Sequence, residues 1–206
     1  MLLNQKEALL LLRKYNIKTP KTYFDENKKL KFPVALKVDS QKIIHKSDKG
    51  FVYTNIESKK KLIFVIKEVK TKLKKEKIEE YSFVIQEMIK GTELIIGMKR
   101  DKTFGPVILF GLGGVFVEVM KDVSMRIAPL TKKDCIEMIN EIKGKKILEG
   151  YRGFPKVNFE KISELLLNFS KLCVKEKDIL EIDFNPILVN SKNAIVVDAR
   201  IIKNVW

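Results

Sequence analysis

The stretch ILEIDFNPILVNSKNAIVVDAR, residues 179–200, holds two runs rich in Ile, Leu and Val on either side of NSKN. Asn and Ser favour turns, so the spacing predicts an antiparallel hairpin. In the first run Glu181, Asp183 and Asn185 fall at every second position, which sets their side chains on one face of a strand. Asp198, on the returning strand, can add another oxygen donor. Hard oxygen ligands on adjoining strands suit Mg²⁺, which takes one or two carboxylates and fills its shell with water and phosphate oxygens. The same alternation suits a plain polar outer face on an edge strand.

Working outward, residues 158–175 place Phe159, Ile162, Leu165, Leu166, Phe169, Leu172 and Cys173 on one face of a long helix, and two short helices are predicted around 131–148. TELIIGMKR, PVILFG, VFVEVM and MRIAP read as four strands separated by Gly and charged turns. Earlier strands are PVALKV (33–38), GFVYTNI (50–56) and YSFVIQEM (81–88). Asn4 caps a first helix running to about Asn16, with Ala8, Leu11, Leu12 and Tyr15 inward. The class is α+β, mainly antiparallel in its second half, and the turn at Lys90 and Gly91 suits a hinge between two lobes.

Composition narrows the function. At 45% hydrophobic, 206 residues supply a sizeable core. The most apolar run, VILFGLGGVFV, has eleven residues and three glycines, too short to span a bilayer. No signal peptide or anchor is expected at MLLNQKEALLLLRKY, and Cys135 and Cys173 have no C-x-x-C spacing. These readings give a cytoplasmic expectation. The net charge of +15 invites a nucleic-acid partner, but nine Lys and two Glu crowd residues 58–77. There Leu62, Ile66, Val69 and Leu73 keep helical spacing, so the lysines are expected to form a solvated outer face with no aromatics interleaved for base stacking. No nucleic-acid or membrane partner is expected.

Only five arginines stand against 36 lysines. Arg100, Arg126, Arg152 and Arg200 therefore mark places where a planar, bidentate donor is wanted. Lys37 lies in an apolar strand and must either snorkel or meet a partner such as nucleotide phosphate. Gly111, Gly113 and Gly114 lack the ending of a P-loop, and a plain hairpin turn suits them. His45, in IIHKSDKG (43–50), is the single histidine. It cannot form a multi-histidine metal site or a two-histidine relay within this chain, so partners for any chemistry come from elsewhere.

FPVALKV, HKSDKG, QEMIKGTELIIGMKRDKTFGPVILFGLGGVFVEVMKDVSMRIAPL, EIKGKKILEGYRG, EIDFNPILV and VDARI, in this order, resemble the ATP-grasp subunit of ADP-forming acetate:CoA ligases, from about residue 5 to 202. The resemblance implies an ATP-grasp fold, a smaller lobe of about 17–90 and a larger one of about 91–206, with ATP or ADP bound between them. It implies an alpha-subunit partner with CoA-binding and ligase domains, and reversible conversion of acyl-CoA, phosphate and ADP into acid, CoA and ATP. His45 would be the second phosphohistidine of the relay. Lys37 would contact phosphate, Glu87, Met88 and Ile89 would meet adenine and ribose, and Arg126 would contact phosphate. Asn185 and Asp198 would hold Mg²⁺, with Glu181 and Asp183 nearby. The family follows HKSD with a small apolar residue and two glycines, whereas Lys49, Gly50 and Phe51 follow here. A non-catalytic ATP-grasp paralogue and a basic nucleic-acid-binding protein are the alternative readings.

Overall fold

The computed structural model describes residues 1–40, 42–43, 50–114 and 122–204. The chain divides into two compact units, Pro20–Ile89 and the flanking Met1–Thr19 together with the chain from Lys90 onward. Among the described residues no helix is long and apolar enough to cross a membrane.

Among the described residues the Pro20–Ile89 unit is a four-stranded antiparallel sheet with one helix. Its strands are β1 (Thr22–Tyr23), β2 (Val34–Asp39), β3 (Val52–Ile56) and β4 (Ser82–Glu87), in the order β1-β4-β2-β3. Helix α2 (Lys59–Lys75) starts at Ser58, whose hydroxyl accepts the Lys61 N–H, and it buries Leu62, Val65, Ile66, Val69 and Leu73. Those side chains join Val34, Leu36, Val38, Phe51 and Ile85 in one core. The outer face carries the lysines, and it also carries Phe64, 60% exposed, so this face is not free of aromatics.

Phe51, which departs from the family pattern, is fully buried. Its carbonyl accepts the Val38 N–H at 3.1 Å, and Lys72 Nζ lies 4.3 Å from its ring centroid. Lys72 also donates to the Gly50 carbonyl at 3.3 Å. The large side chain at position 51 thus serves the core. Phe51→Ala is expected to cost about 3–5 kcal/mol of stability through lost burial and a cavity. Urea denaturation checks this, and a cost below 1 kcal/mol would mean that the ring is not packed.

The second unit opens with α1 (Gln5–Lys14), held by a capping box between Asn4 and Glu7. Its sheet contains β5 (Thr92–Asp101), β6 (Gly105–Leu112), β7 (Val123–Ile127), β8 (Ile179–Val189), β9 (Ala194–Val196) and β10 (Ala199–Lys203). The order is β10-β8-β5-β6-β7, with β9 beside β8. The run VFVEVM, expected as a strand, lies outside the described residues. Helices α3 (Lys132–Glu141), α4 (Lys145–Leu148) and α5 (Phe159–Lys175) follow β7. Cross-strand partners share a face of a sheet. Met98, Ile108, Phe110, Ile182 and Phe184 line the face that packs with α5, and Phe169 meets Phe184 edge to face with ring centroids 4.9 Å apart. Arg100 caps the end of α5: its guanidinium donates to the carbonyls of Ile179, Cys173 and Glu176 at 2.7, 2.8 and 3.0 Å.

Lys90 and Gly91 are tied to this unit. Asn190 Nδ2 donates to the Lys90 carbonyl at 3.0 Å, and a Cβ on Gly91 would come within 2.5 Å of the Val189 carbonyl oxygen. Gly91 is therefore required by close backbone packing.

Candidate functional site

The expected β8 hairpin is interrupted at one place. β8 pairs with β9 at Ile187 and Val196 and with β10 at Phe184 and Ala199. Between these ladders Asn185 and Pro186 face Val197 and Asp198. Proline has no N–H to give a ladder, and the Pro186 carbonyl receives the N–H groups of both Val197 (3.0 Å) and Asp198 (3.4 Å). On its other side β8 shifts register against β5 between Leu94 and Ile96, leaving Asn185 and Pro186 opposite Ile95 alone. This is a β-bulge.

The bulge re-phases the strand. Ile182 and Phe184 are buried, and then Ile187 and Val189 are, a step of three in place of two. Across the gap Val196 is buried and Ala199 and Ile201 pack on the core, the same odd step. Two residues on each chain therefore leave the core together, and continuing the register sets Asn185 opposite Asp198. Asp198 thus occupies a break between β9 and β10, which corrects its expected place on a continuous strand. The signal was legible as the spacing Phe-Asn-Pro-Ile, where alternation fails.

Glu181, Asp183 and Asn185 share the face turned away from the helices, as their alternation predicts. Arg200 Nη1 donates to Glu181 at 3.1 Å. Asp198 Oδ1 accepts the Ala199 N–H at 3.2 Å and Gln5 Nε2 at 3.4 Å. Burial pushes the Asp183 carboxyl above the usual carboxylate range. Arg200 opposes the shift, while Asp198 and Glu181 reinforce it. A divalent cation would relieve this accumulation of negative charge, so the donor set fits a hard metal. Among the described residues no group of three or more His, Cys, Asp or Glu side chains is placed to hold a metal ion. That is compatible with magnesium, which needs few protein ligands beside water and phosphate. Cys135 and Cys173 are buried, and burial pushes their thiols up to about 11 and about 12, so neither offers a thiolate.

In the Pro20–Ile89 unit Lys37 is 6% exposed and pairs with Val52 and Val84. Val34, Leu36 and Val38 face α2, so Lys37 and Ala35 lie on the opposite face of β2. Gln86, paired with Ala35 on that face, is 2% exposed. Its Nε2 donates to Thr22 Oγ1 at 3.3 Å, and its Oε1 has no hydrogen-bond partner among the described residues. A buried acceptor left in this state is costly, and a donor on a bound ligand would satisfy it. Sequence reading passed over Gln86. Glu87 Oε1 lies 3.5 Å from the Tyr23 hydroxyl and 4.0 Å from Lys21 Nζ. The Met88 N–H donates to the Pro33 carbonyl at 3.3 Å, and Met88 and Ile89 are half-buried.

Arg126, expected to contact phosphate, is engaged by carboxylates of its own unit. It pairs with Ile108 across β6 and β7, on the face that bears the helices, while Asn185 occupies the opposite face of the same sheet. Its guanidinium forms a bidentate pair with Glu141 and lies 3.6 Å from Glu137, both on α3. The guanidinium fork is thus occupied by carboxylates of its own chain. His45 lies outside the described residues.

The match to the family model for the ATP-grasp domain covers residues 1–202. The chain belongs to the ATP-grasp family. This ATP-grasp chain is 40% identical over 209 residues to the beta subunit of acetate–CoA ligase [ADP-forming] I of Pyrococcus furiosus, covering 96% of this chain and 90% of that one. It is 41% identical to acetate–CoA ligase [ADP-forming] II of Archaeoglobus fulgidus over 98% of its own length but spans only 30% of that longer protein. Among solved structures it superposes on acetyl-coenzyme A synthetase 1 of Ca. Korarchaeum cryptofilum with TM-score 0.92 and 37% identity, covering 98% of this chain and 93% of that chain. That structure is a complex with coenzyme A and Ca-AMPCP. Another structure of the same enzyme (TM-score 0.85, 36% identity, 98% and 92% covered) contains Mg-AMPPCP and has its phosphohistidine segment pointing towards the nucleotide-binding site.

Proposed function

We propose that this ATP-grasp chain is the nucleotide-binding beta subunit of an ADP-forming acyl-CoA synthetase, completed by an alpha subunit with the CoA-binding and ligase domains. The observation that carries this reading is the match over nearly the whole of both chains to a beta subunit of that activity. Lys37, reaching from a buried strand, neutralises nucleotide phosphate. Glu87, Met88 and Ile89 receive the base and ribose. Asn185 and Asp198 hold magnesium, which when bound offsets phosphate charge. Arg126 is left out of the nucleotide site because Glu141 and Glu137 already engage it.

His45 carries the phosphoryl group between subunits. A neutral ring nitrogen attacks the phosphorus of the partner's phosphohistidine, so one P–N bond forms on His45 as the other breaks. A terminal phosphate oxygen of ADP then attacks, the His45 P–N bond breaks, and ATP leaves. A single histidine in the chain accords with a relay divided between two polypeptides.

A thermal-shift titration tests the nucleotide reading. Mg²⁺ with ADP is expected to raise Tm in a saturable manner. No response to nucleotide, with DNA affinity that falls steeply as salt rises, would favour a nucleic-acid protein instead.

A further inference from the structure

Nine of the ten glycines have a reason within the chain itself. Gly50, Gly105, Gly114, Gly150 and Gly153 adopt positive φ. A Cβ on Gly91, Gly111 or Gly113 would come within 2.5, 2.8 or 3.0 Å of another backbone or side-chain atom, and one on Gly144 would overlap Leu112. Gly97 has neither reason among the described residues. Among the described residues a Cβ there would meet only the Ile182 carbonyl oxygen at 3.7 Å and Leu109 Cβ at 4.0 Å, ordinary contact distances. A glycine inside a strand loses entropy and packs nothing, so β5 would be better served by a branched residue. Such a glycine commonly marks a place where a ligand or another backbone approaches closely.

Its position indicates which. One cross-strand row runs through the sheet as Arg200, Asp183, Gly97, Leu109 and Met125. This row lies on the face away from the helices, with charged groups on one side of Gly97 and apolar groups on the other. Asn185 is two residues beyond Asp183 on that face, at the bulge, which sets it diagonally across from Gly97. A phosphate and metal held at Asn185 would bring the adjoining part of the same ligand over Gly97. We infer that Gly97 is the floor of the nucleotide site, kept without a side chain so that a magnesium–nucleoside diphosphate lies flat on β5. This inference rests on the nucleotide reading above.

The full chain and its Gly97→Ala and Gly97→Val variants can be compared by Tm without ligand and by calorimetric titration with ADP in excess Mg²⁺. Tm is expected to stay level or rise in both variants, because an added Cβ meets only ordinary contacts and both Ala and Val lose less entropy in a strand than Gly. ADP affinity is expected to fall a few-fold in Gly97→Ala and at least about tenfold in Gly97→Val. Gly97→Val binding within twofold of the parent would overturn the inference while leaving the nucleotide reading intact. A marked fall in Tm in both variants would also overturn it, by showing that the chain itself needs the glycine. Failure of the parent chain to bind ADP would overturn the nucleotide reading and this inference with it.

Discussion

His45→Asn is expected to abolish ATP formation from acyl-CoA, phosphate and ADP in the enzyme reconstituted with its alpha subunit, a loss of roughly three orders of magnitude or more. Asparagine keeps a similar size and some hydrogen bonding but has no nitrogen that can attack phosphorus. The chain holds no second histidine, so no neighbour can replace it. ADP affinity is expected to change by less than about twofold, because the variant removes a carrier and leaves the nucleotide contacts. Turnover near the parental rate would mean that phosphoryl passes directly from the alpha subunit to ADP.

The second large effect is expected at the break in β8. Asn185 is exposed, so Asn185→Ala leaves the core untouched. Asp198 accepts two hydrogen bonds, so Asp198→Asn is the cleaner change: it keeps an acceptor and removes the charge. Each variant is expected to keep its Tm within a few degrees and to weaken Mg²⁺-dependent ADP binding by roughly 10–100-fold or more. Titrations with ADP at several Mg²⁺ concentrations read this directly. Unchanged magnesium dependence in both variants would remove Asn185 and Asp198 from the metal site.

Much of the fold was legible in the sequence because two periodicities carry it. The helical spacing of Leu62, Ile66, Val69 and Leu73 and the alternation of Glu181, Asp183 and Asn185 are local patterns, and each buried or open face followed from them. The features that were not legible depend on distant partners. Arg126 stands fifteen residues from Glu141, and which face of β7 the helices cover is settled by packing, not by the residues around Arg126. Gln86 reads as an ordinary polar residue until its burial and its unpartnered oxygen are known. Phe51 looks like a misfit in a glycine position, but its backbone pairs with β2 and its ring belongs to the core. Asp198 was an intermediate case. Pro186 and the failed alternation around it announced an interruption, and the hydrogen-bonding consequence for the facing strand became evident only with the Val197 and Asp198 N–H groups sharing one carbonyl.

The phosphoryl-carrying role is tested most directly by incubating the purified chain, with and without its alpha subunit, with Mg²⁺ and ATP labelled in the γ-phosphate, followed by peptide mapping. The expected result is an acid-labile, base-stable label on the peptide containing His45, absent from His45→Asn, and transferred back to ADP when ADP is added. A wild-type chain that binds nucleotide and supports turnover with its partner, yet never carries label on His45, would contradict it.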